Sequence, residues 1–187
     1  MSESGTRDRI VDAADELIYQ QGYEHTSFSN IAEAVQISRG NFYHHFKSKD
    51  EILDAVIEAR LADTQEALKQ WEAEVTDPEA RIQCFIRILI DNQDKIQNYG
   101  CPVGTLSTEL AKLHHPSQAH ANKLFCLYRD WLRQQFELLG RKADAEQLAL
   151  HLLGRSQGVA TLASAFQDEA YVEYEVEQMC EWVRSCS

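Results

Sequence analysis

The sequence predicts an all-α protein of about nine helices. Almost every stretch long enough to judge repeats its apolar residues with helical period, and none alternates like a strand. Only 8 Gly and 3 Pro occur in 187 residues, so little of the chain is turn-rich. Capping residues stand where one apolar stripe gives way to the next.

In chain order, Ile10, Ala14, Leu17 and Ile18 make a first amphipathic stripe, closed by Gly22 as a C-terminal cap. Phe28, Ile31, Ala32 and Val35 make a second, with Thr26 or Ser27 as its N-cap. Ser38 opens a very short third helix carrying Phe42 and Phe46 four residues apart. Ser48 and Glu51 form an S-x-x-E capping box that starts a long helix through Leu53, Val56, Ile57, Leu61 and Leu68 towards Trp71. Asp77 caps the next helix, with Pro78 in its first position and Ile82, Phe85, Ile86, Leu89 and Ile90 on its apolar face. The segment NYGCPVG breaks that helix, and another runs from Pro102 to about His115. After Pro116, Leu124, Leu127, Tyr128, Trp131 and Leu132 stripe a helix that ends near Gly140. Two more cover 143–168 and 171–185.

The formal net charge of −12 argues against unselective polyanion binding. It leaves room for a local basic patch, because salt at roughly 0.1 M confines a field to about 10 Å. No run approaches the ~18 consecutive apolar residues of a membrane span, so no membrane partner is expected. Cys84, Cys101, Cys126, Cys180 and Cys186 form neither a CxxC pair nor a zinc spacing. With a polar start, MSESGTRDR, and no export signal, they read as reduced thiols of a cytoplasmic protein. The chain has no Gly-rich phosphate loop, no Gly-x-Ser-x-Gly turn and no HExxH, so neither an enzyme nor a cofactor is expected. His114, His115 and His120 with Glu109 match no standard metal-ligand set and read as a solvated cluster near a helix end.

One stretch stands out against this acidity. Residues 38–49, SRGNFYHHFKSK, hold three cations, three aromatics, two histidines and no acid. With Phe42 and Phe46 facing a core, Gly40, Asn41, Tyr43 and His44 point away from it, and Arg39 lies in the first turn. Three helices with two short connections, the last exposing polar groups and a glycine, are a helix-turn-helix arrangement, whose last helix enters the DNA major groove. Gly40 permits close approach, while Arg39 and Asn41 suit guanine and adenine edges. Tyr43, His44 and Lys49 suit phosphate.

The whole run TSFSNIAEAVQISRGNFYHHFKSKDEIL resembles the DNA-binding signature of the TetR family of bacterial transcriptional regulators, over roughly residues 8–55. The resemblance implies a three-helix DNA-binding head (1–50), and a larger helical body for ligand binding and dimerisation (51–187). It also implies a homodimer that a small-molecule effector releases from double-stranded operator DNA. Thr26, Ser38, Arg39, Asn41, Tyr43, His44 and Lys49 become the candidate DNA contacts. One feature sits awkwardly: residues 1–60 hold six Lys/Arg against eleven Asp/Glu, so only the tip of the head is basic. A purely architectural DNA binder would not need residues 51–187.

In the body, Trp71, Phe85, Tyr99, Phe125, Tyr128 and Trp131 are either plain core or, in part, the wall of an apolar cavity. Cys101 joins them as a candidate. It precedes Pro102, at the start of a helix where amide groups and dipole favour thiolate, and a similar Gly-Cys motif occurs in some TetR-like sensors of electrophiles or oxidants. A repressor sensing such reagents through Cys101 is the alternative to a reversible effector; a small buried residue in a tight turn is the plainer account of the same thiol. Gly154 and Gly158 each cost a helix about 1 kcal/mol against Ala, which calls for close helix–helix approach. By resemblance the last two helices form a four-helix dimer interface, with Leu152, Gly154, Gly158, Leu162, Phe166, Val176, Met179 and Val183 as its candidates; packing within one chain is the other reading.

Overall fold

The computed structural model describes residues 5–186, the side chain of Arg39 excepted. Among them are eleven helices and no strand, so the all-α expectation holds. The chain divides into two compact units, Met1–Asp63 with Pro102–Lys123, and Thr64–Cys101 with Leu124–Ser187. The sequence predicts a head of residues 1–50; the compact unit that contains those residues extends to Asp63 and includes Pro102–Lys123.

The first unit contains α1 (Thr6–Gln21), α2 (Phe28–Ala34), α3 (Arg39–His45), the start of α4 (Lys49–Glu74), α7 (Pro102–Lys112) and α8 (Gln118–Ala121). α1 stops at Gly22, whose φ of 87° suits glycine and whose N–H bonds back to the Ile18 carbonyl. Ser27, not Thr26, caps α2: its hydroxyl accepts the Asn30 N–H, and the Asn30 amide oxygen accepts the Ser27 N–H. Ser48 caps α4 by accepting the Glu51 N–H at 3.1 Å. The Glu51 carboxylate reaches past the expected partner to the Lys47 N–H at 2.7 Å. Ile10, Ala14, Ile18, Ile31, Phe42, Phe46, Ile52, Leu53, Val56 and Ile57 make one core, to which Leu106 and Leu110 of α7 and Ala121 of α8 also belong. At about 1.5–3 kcal/mol for each large side chain removed from water, α7 is a structural part of this unit.

The second unit contains the rest of α4, α5 (Pro78–Asp91), α6 (Gln93–Tyr99), α9 (Lys123–Leu138 less its first residue), α10 (Ala145–Phe166) and α11 (Glu169–Cys186). Asp77 caps α5 through the Ala80 N–H with Pro78 next in line, as the sequence indicates. The helix expected to run on to NYGCPVG is interrupted at Asn92, whose side-chain amide bonds to the Ile88 carbonyl at 3.1 Å. Such local bonding competes with the helix ladder. α6 starts afresh after it, and α6 and the single-turn α8 are the short segments added to the about nine helices expected. α5, α10 and α11 share a core that includes Ile82, Phe85, Ile86, Leu152, Val159, Val172, Val176 and Met179.

Candidate nucleic-acid interface

The corner between α2 and α3 sets this surface. Gln36 carries the chain round it with a positive φ of 56°, and the Ile37 N–H returns to the Ala32 carbonyl at 3.1 Å. The Arg9 guanidinium of α1 donates to the Val35 carbonyl at 2.9 Å, which fixes the corner on the first helix. Ser38 then caps α3 by accepting the Asn41 N–H at 3.3 Å. Phe42 and Phe46 are buried, so the helix has a defined inner side. Gly40, Asn41, Tyr43 and His44 are exposed on the outer side. Arg39 opens the helix by its backbone, and its side chain lies outside the described residues.

Tyr43 is 48% exposed, yet it is held: its ring meets Phe28 edge-on at 5.5 Å, and Phe28 packs on Phe42 at 5.0 Å. A side chain at Gly40 would meet nothing within 4 Å. Its absence therefore serves no packing inside the protomer. Asp8, Asp12, Glu51, Asp54 and Glu58 of the head, with Asp63, line a cleft of about 870 Å³ along α1 and α4; His45 at the end of α3 reaches it, but Gly40, Asn41, Tyr43 and His44 do not. This arrangement accommodates a neutral-to-basic tip on an acidic head.

Two expected contacts are differently placed. Thr26 is buried, and its hydroxyl donates to the Gly22 carbonyl at 2.7 Å while accepting from the Gln21 amide. It closes the turn between α1 and α2 rather than facing outward. Lys49 turns inward as well: its ammonium donates to the Tyr23 and Glu24 carbonyls at 2.7 and 3.2 Å and sits 4.1 Å from the centre of the Tyr23 ring.

In the second unit, Trp71 and Trp131 lie 5.7 Å apart, and Phe85 and Tyr128 5.4 Å apart. The Trp131 indole donates to Glu72 at 2.9 Å. Phe85 and Trp131 are core residues there, with Trp71, Phe125, Tyr128 and Cys101 packed against them, while Tyr99 is more exposed. Burial pushes the Tyr128 phenol up, and the neighbouring Cys101 adds to the shift. Neither the acidic cleft nor a second one of about 330 Å³ beside α6 is lined by any of these seven residues. Of the dimer candidates, Leu152, Val176, Met179 and Val183 are buried in the unit's own core, because they face α5 and the neighbouring helix. Gly154, Gly158, Leu162 and Phe166 are exposed on the opposite side of α10. The histidines disperse: His115 approaches the Tyr23 hydroxyl at 3.2 Å, and His120 meets Glu58 at 2.6 Å and Asp54 at 3.4 Å.

Residues 10–56 match the profile described as "Bacterial regulatory proteins, tetR family". An HTH-type transcriptional regulator from the lacX 3' region of Lactococcus lactis is 29% identical over 87% of this chain and 85% of its own. The crystal structure of a TetR transcriptional regulator from Legionella pneumophila superposes with a TM-score of 0.85 at 26% identity, covering 97% of this chain and 98% of that one. Residues 10–56 carry the TetR-family DNA-binding signature, and the chain as a whole is similar to TetR-family regulators. The HTH-type transcriptional repressor DhaR of Mycobacterium sp. (strain GP1) is 25% identical over 71% of this chain and 65% of its own, so repressors are among the relatives.

TetR-family regulators are DNA-binding transcriptional regulators and not enzymes, and no helix among the described residues is long and apolar enough to cross a membrane. Several residues that shape the TetR-family head here were not singled out in the sequence. Arg9 and Gln36 act through a carbonyl and a dihedral angle, and neither leaves a pattern in the letters. Phe28 appears there as a core residue only, although it also supports Tyr43.

Proposed function

We propose that the protein is a repressor that binds a pseudo-palindromic operator as a homodimer and leaves it when a small molecule binds the second unit. In this reading residues 1–50 form the DNA-binding head, and the remainder provides ligand binding and dimerisation. The observation that carries it is the outer side of α3: an open glycine, Asn41 and His44 exposed, and a Tyr43 ring held in place for a phosphate. Two such helices related by a two-fold axis read two half-sites about one DNA turn apart.

The partner protomer would cover α10. Leu150, Leu162 and Phe166 are exposed there, and a side chain at Gly154 or Gly158 would meet nothing within 4 Å. Packing inside one chain therefore does not account for these glycines, which leaves close approach of a second copy as the supported reason. Selecting duplexes from random DNA with the purified protein tests the reading directly. A palindromic consensus bound by a dimer, and released by a component of cell extract, is the expected result; sequence-independent binding or none refutes it.

A second reading has one observation in its favour. Cys101 immediately precedes Pro102, whose carbonyl accepts the Arg60 guanidinium at 2.8 Å, and Arg60 is paired with Asp15 of α1. Modification of the thiol would act one peptide unit from this anchor. Electrophile-induced release from DNA that persists in Cys126→Ser and vanishes in Cys101→Ser supports a sensor, whereas equal release of wild type and Cys101→Ser excludes it.

A further inference from the structure

Glu109 of α7 is bound to the corner that joins α1 to α2. One carboxylate oxygen accepts the Tyr23 N–H and the other accepts the Glu24 N–H, both at 2.9 Å. These amides lie just past the end of α1, in the turn that its hydrogen-bond ladder does not reach. Gly22 belongs to the same contact. A side chain there would come within 2.9 Å of the Glu109 carboxylate, at a φ of 87° that already disfavours one. The other face of the corner is also charged, since Lys49 takes the Tyr23 and Glu24 carbonyls. The Tyr23 hydroxyl donates to Asp50 at 2.6 Å. The corner is thus gripped by an anion through its N–H groups and by a cation through its carbonyls.

We infer that Glu109 is a positioning residue for DNA binding: it touches no DNA itself but fixes the corner from which α2 departs. The path is short. Thr26 ties the corner to Gly22, and Ser27 caps α2. Phe28, the first residue of α2, then sets the edge-on contact with Tyr43 on the outer side of α3. A carboxylate suits this task because both oxygens accept. An amide of the same shape presents an NH₂ to one of the two N–H groups, so it can satisfy only the other. The inference rests on the DNA-binding reading above.

The test uses the full-length protein with Glu109→Gln, and a duplex selected from random DNA by the wild type. Two quantities are read: exchange of the Tyr23 and Glu24 amides, and DNA affinity as a function of salt. Amide protection is expected to fall in Glu109→Gln while that of α10 stays unchanged. Affinity is expected to fall about tenfold, the order of one charge-assisted hydrogen bond. The slope of log affinity against log salt should not change, because no cationic side chain loses a phosphate. A merely structural residue would leave affinity within about twofold well below the melting temperature, and that result overturns the inference. Lower affinity with unaltered exchange at Tyr23 and Glu24 overturns it too. Gly22→Ala gives a second approach should Glu109→Gln fold poorly: its methyl displaces the same carboxylate and is expected to reproduce the pattern. A wild type that selects no DNA refutes the DNA reading instead, and the exchange data still show whether the carboxylate holds the corner.

Discussion

Replacing Gly158 with leucine separates the stability of the protomer from that of the assembly. Inside one chain the position has room for a side chain. Gly158 lies within the 22-residue α10, and a Cβ there meets nothing within 4 Å. Removing a helical glycine gains up to about 1 kcal/mol in propensity, so the melting temperature of the protomer should hold or rise. Across the proposed interface the effect reverses. Overpacking a close contact costs about 1–3 kcal/mol, and two-fold symmetry applies it twice. The resulting 2–6 kcal/mol, roughly, weakens the dimer by about 30-fold to about 10⁴-fold. Sedimentation velocity over a dilution series reads this directly, with thermal melting alongside. Operator affinity should drop together with dimer content, since a monomer engages one half-site. A Gly158→Leu protein that sediments as wild type places the interface elsewhere, and one that unfolds shows that α10 is not free in the protomer.

The exposed face of α3 yields a pair of contrasting outcomes: Tyr43→Ala should weaken binding to all duplexes alike and leave the salt slope unchanged, since a neutral phenol releases no counterion, whereas Asn41→Ala should relax base preference at one position by about 1–3 kcal/mol, both measured by titration of selected and scrambled DNA. The Tyr23 hydroxyl bond holds the Asp50 carboxyl below its ordinary range. That depressed value contributes stability above the unfolded carboxylate value of about 3.9 and loses it as pH falls through the folded value, so denaturation midpoints of wild type and Asp50→Asn should differ near neutrality and converge in acid. Burial pushes the Cys180 thiol up while Cys126 is exposed, so iodoacetamide near neutral pH should label Cys126 and spare Cys180 in the native protein, as read by peptide mass spectrometry.

The fold was legible where one helix face meets one core. Phe42 and Phe46, four apart, fix the inner side of α3 whatever lies beneath, and the same spacing logic carries α1, α5 and α9. It fails where both faces of a helix are apolar. On α10, leucines and small residues surround the axis, so the periodicity does not say which side is core; Leu152 faces inward and Leu162 outward, although both are leucines. The assignment of α7 to the first unit was hidden for another reason. Leu106 and Leu110 show that α7 has a buried face, but not that Ile10, Ile18 and Ile57 are the residues sharing that core, because pairing across the chain is a property of topology. Side chains that act on main-chain groups are equally silent. Lys49 reads as a phosphate contact from its type and place, and only the geometry shows the Tyr23 and Glu24 carbonyls already occupying its ammonium.

Five of the eight glycines sort themselves by what a Cβ would meet, and the sorting separates folding from recognition. Gly22 is accounted for twice over, by its positive φ and by the Glu109 carboxylate. Gly140 is accounted for by its φ of 88°, at a turn open to solvent. Gly40, Gly154 and Gly158 have neither reason: all three are helical, exposed and bordered by empty space. Each weakens its helix by about 1 kcal/mol without relieving any contact in the protomer. A residue that lowers stability with no internal return is best explained by something outside the chain that must come close. For Gly40 the neighbouring Asn41 and Tyr43 give that surface a polar, hydrogen-bonding character suited to DNA. For Gly154 and Gly158 the neighbouring Leu150, Leu162 and Phe166 give an apolar one suited to another helix. The same substitution, glycine to alanine, should therefore stabilise the isolated protomer at all three positions. It should weaken DNA binding without affecting assembly at Gly40, and weaken assembly first at the other two.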